Sequence, residues 1–216
     1  MNCVLLRCGD APIPVTLPSE GAVAVSDVPT REELAEHLPR TEMPQRIIIA
    51  GQDAALASVL THLLRSERLD VEVAFVPASR TDATRIHGLE KGAKAGRAAM
   101  EGTAHGTPLI RDDLGVVLVG CAQLTGPDGA RLTGETYVDH RPLFAGEAAG
   151  IEIHPTGHAP GLRAARLGRM RRKWIEGRAA QTGGDAIAVT RDGVPEPKRL
   201  KRSTFYRHNV DWLLVR

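Results

Sequence analysis

Arg46-Ile47-Ile48-Ile49-Ala50-Gly51-Gln52-Asp53-Ala54-Ala55-Leu56 is the stretch that decides the fold of this 216-residue chain. Ile47 to Ala50 is a short, β-branched apolar run, the composition of a strand covered on both faces. After it, Leu56, Val59, Leu60, Leu63 and Leu64 recur at helical spacing, so Gly51 to Ala55 is the turn from strand to helix. The helix is expected from about Asp53 to Arg65, packed on a central parallel strand through Leu56, Leu60 and Leu63. Turns at the carboxyl end of a parallel strand are where open α/β sheets bind ligands. A phosphate is held there by unencumbered backbone N–H groups and the helix dipole, and glycines let it approach. Here only Gly51 is bare; Gln52, Ala54 and Ala55 carry side chains where a tight cradle needs none.

Working outward, strand patterns at Cys3 to Leu6, Ala22 to Val25 and Val71 to Val76 alternate with helix patterns. One helix opens on the capping sequence Thr30-Arg31-Glu32-Glu33 and continues through Leu34 and Leu38. That alternation predicts an α/β domain over residues 1–112, a parallel sheet flanked by helices. Past residue 112 the helical period fades. Tyr137, Phe144, Trp174, Phe205, Tyr206 and Trp212 lie there among turn signals such as Pro127-Asp128-Gly129 and Arg191-Asp192-Gly193. Residues 113–216 therefore read as an antiparallel β domain, with the C-terminal strand a candidate to return to the first domain.

Composition bounds the function. A hydrophobic content of 42% is that of a globular protein, and no run reaches the roughly 20 apolar residues of a membrane span. Met1 to Arg7 lacks a signal peptide's basic and apolar regions, so a cytoplasmic location is expected. The net charge of +2 gives no global preference for nucleic acid. Cys3, Cys8 and Cys121 form no Cys-x-x-Cys pair and read as reduced thiols. His154-Pro155-Thr156-Gly157-His158 offers no metal set, because Pro155 and Gly157 disfavour the helix that would put both histidines on one face. This segment is expected to be a solvated loop.

Four segments in order carry a family resemblance. The Gly51 turn resembles the Gly-Gly-Asp-Gly-Thr loop of the diacylglycerol kinase and NAD kinase superfamily, bacterial lipid kinases especially. Leu69 to Pro77, a strand ending in proline, leads to Ala78-Ser79-Arg80-Thr81-Asp82-Ala83-Thr84-Arg85-Ile86-His87-Gly88. Asp82, Arg85 and Gly88 fall in the register of that family's second loop and its helix, although the loop glycines are replaced. Arg111-Asp112-Asp113-Leu114-Gly115 and Val116 to Val119 resemble the family's crossing into its β domain, and Ala186 to Val194 its late strand and Asp-Gly-Glu turn. The resemblance implies the two-domain lipid kinase and NAD kinase fold, and a nucleotide site altered in every loop.

The candidate residues each keep two readings. Gly51, Asp53, Arg80, Asp82 and Arg85 would hold a nucleotide, phosphate or other anion; against this, Asp is among the favoured residues for capping a helix, and Asp53 stands where its own helix begins. Asp192 would assist an accepting hydroxyl, or form a hairpin turn, since Val194 replaces the family's glutamate. The basic cluster Arg163, Arg166, Arg169, Arg171, Arg172 and Lys173, and the second cluster Lys198, Arg199, Lys201 and Arg202, suit an anionic lipid surface or the wet face of strands. The leading expectation is a non-catalytic member of the fold that binds a nucleotide, an anion or a partner. The rivals are an active kinase using ATP and Mg²⁺ through Asp53, Asp82 and Asp192, and a structural subunit with a basic β surface.

Overall fold

A computed structural model of the chain describes residues 2–168 and 172–216. The chain divides into two compact units, Met1–Thr107 with Val210–Arg216, and Pro108–Asn209.

In the first unit the strands lie in the order Val23–Val25, Cys3–Cys8, Arg46–Ala50, Glu72–Val76, Trp212–Val215, Ala104–Thr107. All neighbours are parallel except the last pair. Arg46–Ala50 is central, and each of its five residues is buried, as its unbroken apolar run requires. The helix Asp53–Arg65 packs its apolar stripe inward: Leu56, Val59, Leu60 and Leu63 have no exposed surface. Helix Arg31–His37 begins in the expected capping box: Thr30 Oγ1 accepts from Glu33 N–H (3.2 Å) while Glu33 Oε2 accepts from Thr30 N–H (2.7 Å). The C-terminal strand enters between two strands of this unit, with Leu213 opposite Glu72 on one side and Gly106 on the other.

Arg46 is buried although charged. Its guanidinium donates to Glu72 Oε2 (2.7 Å) and to the carbonyls of Ala99 (2.7 Å), Met100 (3.3 Å) and Gly102 (3.0 Å). These contacts tie the end of helix Gly92–Glu101 to the central strand, and they satisfy the charge that burial would otherwise penalise.

The second unit is antiparallel throughout. Its spine is the long strand Ala179–Arg191, which pairs with Leu200–Arg207, Leu132–Val138, Ala122–Thr125 and Val194–Pro195. Its register against Leu200–Arg207 shifts between Gly183 and Ile187, and at Gly183 the facing Gly134 lies so close that a Cβ on it would come within 2.0 Å of the Gly183 carbonyl oxygen. Ile151–Pro155 lies between Ala122–Thr125 and Leu162–Arg166. The core gathers Leu124, Leu132, Ile151, Ile153, Ile187, Val189 and Phe205.

The expected solvated loop at 154–158 needs correcting. His154 and Pro155 are the last two residues of the strand Ile151–Pro155, and both are buried. The alternation of Ile151 and Ile153 with Glu152 and His154 continues the sheet, and proline is tolerated as its final residue. The basic clusters are strand faces in part: Arg163 lies over Trp174 (4.5 Å) and Arg166 over Phe144 (5.9 Å), while Lys198, Lys201 and Arg202 are exposed. Arg169 and Arg171 lie outside the described residues. Among the described residues no helix is long and apolar enough to cross a membrane.

Candidate functional site

The turn after the central strand is where the sequence places the chemistry. Gly51 is buried, and a Cβ added to it would lie 3.0 Å from Cys8 Cβ and 3.1 Å from Ala55 Cβ. A side chain here would press on Cys8 and Ala55, so the glycine suits the chain's own packing. Beside it is a cavity of about 240 Å³ lined by Cys8, Asp10, Asp27, Gly51, Gln52 and Ala78 among others. That is below the roughly 300 Å³ at which small-molecule pockets begin, and two carboxylates flank it. Burial, reinforced by the negative charges of Asp27 and Glu33, pushes the Cys8 thiol up to about 12, so it stays protonated at neutral pH.

Asp53 does not cap its own helix. Gln52 occupies the cap position without a side-chain bond, and Asp53 is the first helical residue. Its carboxylate reaches across instead, with Oδ2 accepting from the backbone N–H of Ala83 at 3.0 Å. The receiving helix, Asp82–His87, starts in its own capping box between Thr81 and Thr84 and stops at Gly88 in the left-handed conformation (φ 65°). An anion at a helix N-terminus is favoured by the N–H groups pointing out of it. Here the chain supplies that anion itself. Burial raises the Asp53 carboxyl above the ordinary range, against the lowering effect of the bonds from Thr81 and Ala83, and the charge of Asp82 adds to the rise. Its other oxygen, Oδ1, is buried with no hydrogen-bond partner.

The remaining sequence candidates separate. Arg85 is exposed and pairs with Asp82 one helical turn away, so its guanidinium serves the helix it stands on. Arg80 is exposed, two residues past the cavity-lining Ala78. Asp192 lies in the second unit, in the two-residue turn joining Ala179–Arg191 to Val194–Pro195. Asp192 (φ 48°) and Gly193 (φ 84°) both take the left-handed conformation of a tight hairpin. The Asp192 carboxylate also accepts from the N–H groups of Val119 (3.1 Å), Gly120 (2.8 Å) and Cys121 (3.0 Å), fixing the chain just before the strand Ala122–Thr125.

Three polar assemblies have no counterpart in the sequence reading. In the second unit Arg191 Nε donates to Asp112 Oδ2 (2.6 Å) and Nη1 to Glu196 (3.1 Å), with Asp112 wholly buried. In the same unit Cys121, Glu152 and His154 bring a thiol, a carboxylate and an imidazole within 4.8 Å of one another. Neither grouping is visible before the strand register is known. In the first unit a groove of about 370 Å³ beside helices Arg31–His37 and Asp53–Arg65 is lined in part by Arg31, Arg40, His62 and Arg65. Arg40 is paired with Glu67 there, and His62 and Arg65 lie in a last helical turn, where positive charge balances the dipole.

No protein-family model matches the sequence, and no curated protein matches it either. Solved structures do match in fold. A diacylglycerol kinase from Bacillus anthracis str. Sterne superposes with a TM-score of 0.71 at 8% identity, covering 99% of this chain and 96% of that one. An NAD kinase from Archaeoglobus fulgidus, solved in complex with ATP, gives 0.64 at 12% identity, covering 100% and 94%. At these identities the likeness is one of fold: an α/β unit and an antiparallel β unit, as in these diacylglycerol kinase and NAD kinase structures.

Proposed function

We propose that this chain, which has the diacylglycerol kinase and NAD kinase-like fold, is a non-catalytic member of it, a binding protein for a phosphate-bearing or other anionic ligand. The observation that carries this reading is the position of Asp53. In a working phosphoryl-transfer site, carboxylates stay ionised to hold Mg²⁺ beside the phosphates. Asp53 is instead directed to the N–H of Ala83, with its second oxygen buried. Two further features agree with it. Cys8 and Ala55 fill the space around Gly51 that a phosphate cradle leaves open, and Asp10 and Asp27 beside the turn repel an anion. The residues of this turn do not fit a nucleoside triphosphate. Attraction for an anion in this unit then rests on side chains, Arg80 past the turn and the groove of Arg31, Arg40 and Arg65.

A thermal shift series tests this reading. Inorganic phosphate, NAD or ATP should raise the melting temperature by mass action, with a gain that shrinks as salt is added. Loss of the shift in Arg80→Ala places the ligand beside the turn, and loss in Arg31→Ala or Arg65→Ala places it in the groove. Flat scans with all three compounds contradict an anion-binding role. A second reading, an active kinase with a rebuilt loop, draws on the same two carboxylates: Asp10 and Asp27 are oxygen ligands of the kind Mg²⁺ uses. It requires Mg²⁺-dependent consumption of ATP that Asp10→Asn and Asp27→Asn abolish.

A further inference from the structure

The second unit holds a group of side chains that neither the hairpin at Asp192 nor the anion reading uses. Glu152 and His154 stand two apart on the strand Ile151–Pro155 and so share one face of the sheet. The neighbouring strand pairs Ile153 with Ala122, and one step further along this antiparallel register brings Cys121 opposite His154. A thiol, an imidazole and a carboxylate from two chain segments therefore converge, with their ligand atoms all within 4.8 Å. Glu152 and His154 are buried, while Cys121 is half-buried, so the group opens outward on the thiol side.

We propose that Cys121, Glu152 and His154 form a binding site for a divalent metal ion of the zinc class. Sulfur, nitrogen and oxygen donors are the set Zn²⁺ takes, and three protein ligands with the fourth position open is the arrangement of a site that keeps a water or a substrate atom on the metal. With ligand bonds of about 2.0 to 2.3 Å, tetrahedral donors lie roughly 3.3 to 3.8 Å apart, so donors at the 4.8 Å limit have to close by about 1 Å, while a metal taking both Glu152 Oε1 and His154 Nε2, 2.5 Å apart, replaces their hydrogen bond and opens that pair by roughly 1 Å. Charge balances in the bound state: the Cys121 thiol gives its proton to solvent, and the thiolate and carboxylate neutralise the dication.

The surroundings support the ligands. Asp192 grips Cys121 from both sides, its carboxylate accepting from the Cys121 N–H (3.0 Å) and its own N–H donating to the Cys121 carbonyl (2.8 Å). Trp174 meets the His154 ring edge-on at 5.2 Å and is covered on its face by Arg163. Glu152 Oε1 accepts from His154 Nε2 (2.5 Å) and from Arg172 Nη1 (2.7 Å). Arg172 is thus the metal's competitor for the carboxylate, and its side chain, 42% exposed, has solvent to turn into. A purely structural ion network would need Glu152, His154 and Arg172 alone. The metal site adds the thiol and reverses the role of the arginine.

Titration of the full chain with Co²⁺, with thiols kept reduced, separates the two. The site predicts a thiolate-to-cobalt charge-transfer band that saturates at one equivalent and is bleached by Zn²⁺, with parallel quenching of Trp174 fluorescence in a Trp212→Phe background. Cys121→Ser should remove the band. His154→Gln and Glu152→Gln should weaken binding by about tenfold or more, Cys3→Ser should leave it unchanged, and Arg172→Ala should tighten it. Cys121→Ser replaces one atom at a half-buried position, so circular dichroism of that variant shows whether loss of the band is loss of the ligand or of the fold. Absence of the band in wild type overturns the proposal. So does a band that survives Cys121→Ser in folded protein, or weaker Co²⁺ binding in Arg172→Ala.

Discussion

Replacing Asp53 by asparagine and by alanine pulls apart the two things its carboxylate does. Asparagine keeps an oxygen for the Ala83 N–H, now 3.0 Å from Oδ2, and removes the charge that burial penalises. Alanine removes the acceptor and leaves a backbone donor at the start of helix Asp82–His87 without its partner. An orphaned buried donor costs about 1–3 kcal/mol, and losing a side-chain cap costs about 0.5–2 kcal/mol, so Asp53→Ala should destabilise by about 1–3 kcal/mol. For a chain of this length each kcal/mol is about 2–4 °C, giving a fall of roughly 2–12 °C in melting temperature. Asp53→Asn should instead melt at or above wild type at neutral pH. The pH dependence follows from the raised carboxyl. A group that holds its proton more tightly when folded contributes stability that is fully present below the unfolded value of about 3.9 and is lost as pH rises through the folded value. The advantage of Asp53→Asn over wild type should therefore be greatest at neutral pH and shrink toward acid. Differential scanning calorimetry from acid to neutral pH measures it. An Asp53→Asn protein that loses as much stability as Asp53→Ala at pH 7 would refute the reasoning, because the charge would then be needed in the fold.

Three other outcomes are expected. Leu60→Ala removes a fully buried side chain and should cost about 2–5 kcal/mol by urea denaturation; a change under about 0.5 kcal/mol would mean the helix packs on another face. Arg46→Ala leaves Glu72 and the carbonyls at the end of helix Gly92–Glu101 without their donor, and should cost about 3–5 kcal/mol in the same assay. Asp192→Ala strips the acceptor from three N–H groups, so hydrogen exchange at Val119, Gly120 and Cys121 should accelerate while exchange at Ile48 stays slow.

The sequence was most legible where one local rule governs. The β-branched run at Ile47 to Ala50 and the leucines spaced through Leu63 are periodic patterns that tertiary contacts reinforce, and Thr30 with Glu33 is a complete capping signal in four residues. The antiparallel character of the later residues was likewise carried by turn chemistry, as at Asp192-Gly193. What escaped depends on register and distant pairing. Nothing local to Asp53 says that its carboxylate will reach the start of another helix 30 residues on. His154 looked like loop because Pro155 and Gly157 follow it, although the alternation from Ile151 ran straight through it. The burial of Arg46 likewise depends on Glu72 and three carbonyls brought around it from distant segments. Cys121 and His154 become neighbours only through the pairing of Ile153 with Ala122.

Phosphoryl transfer itself is the most direct test of the central claim. Purified chain should be incubated with Mg²⁺ and γ-labelled ATP, with diacylglycerol, a sphingoid lipid and NAD offered in turn as acceptors, alongside Asp53→Asn. The account predicts no labelled product above the no-protein control from either protein. Product formed by wild type and abolished in a folded Asp53→Asn would contradict it, since the carboxylate at the Ala83 N–H would then be serving catalysis.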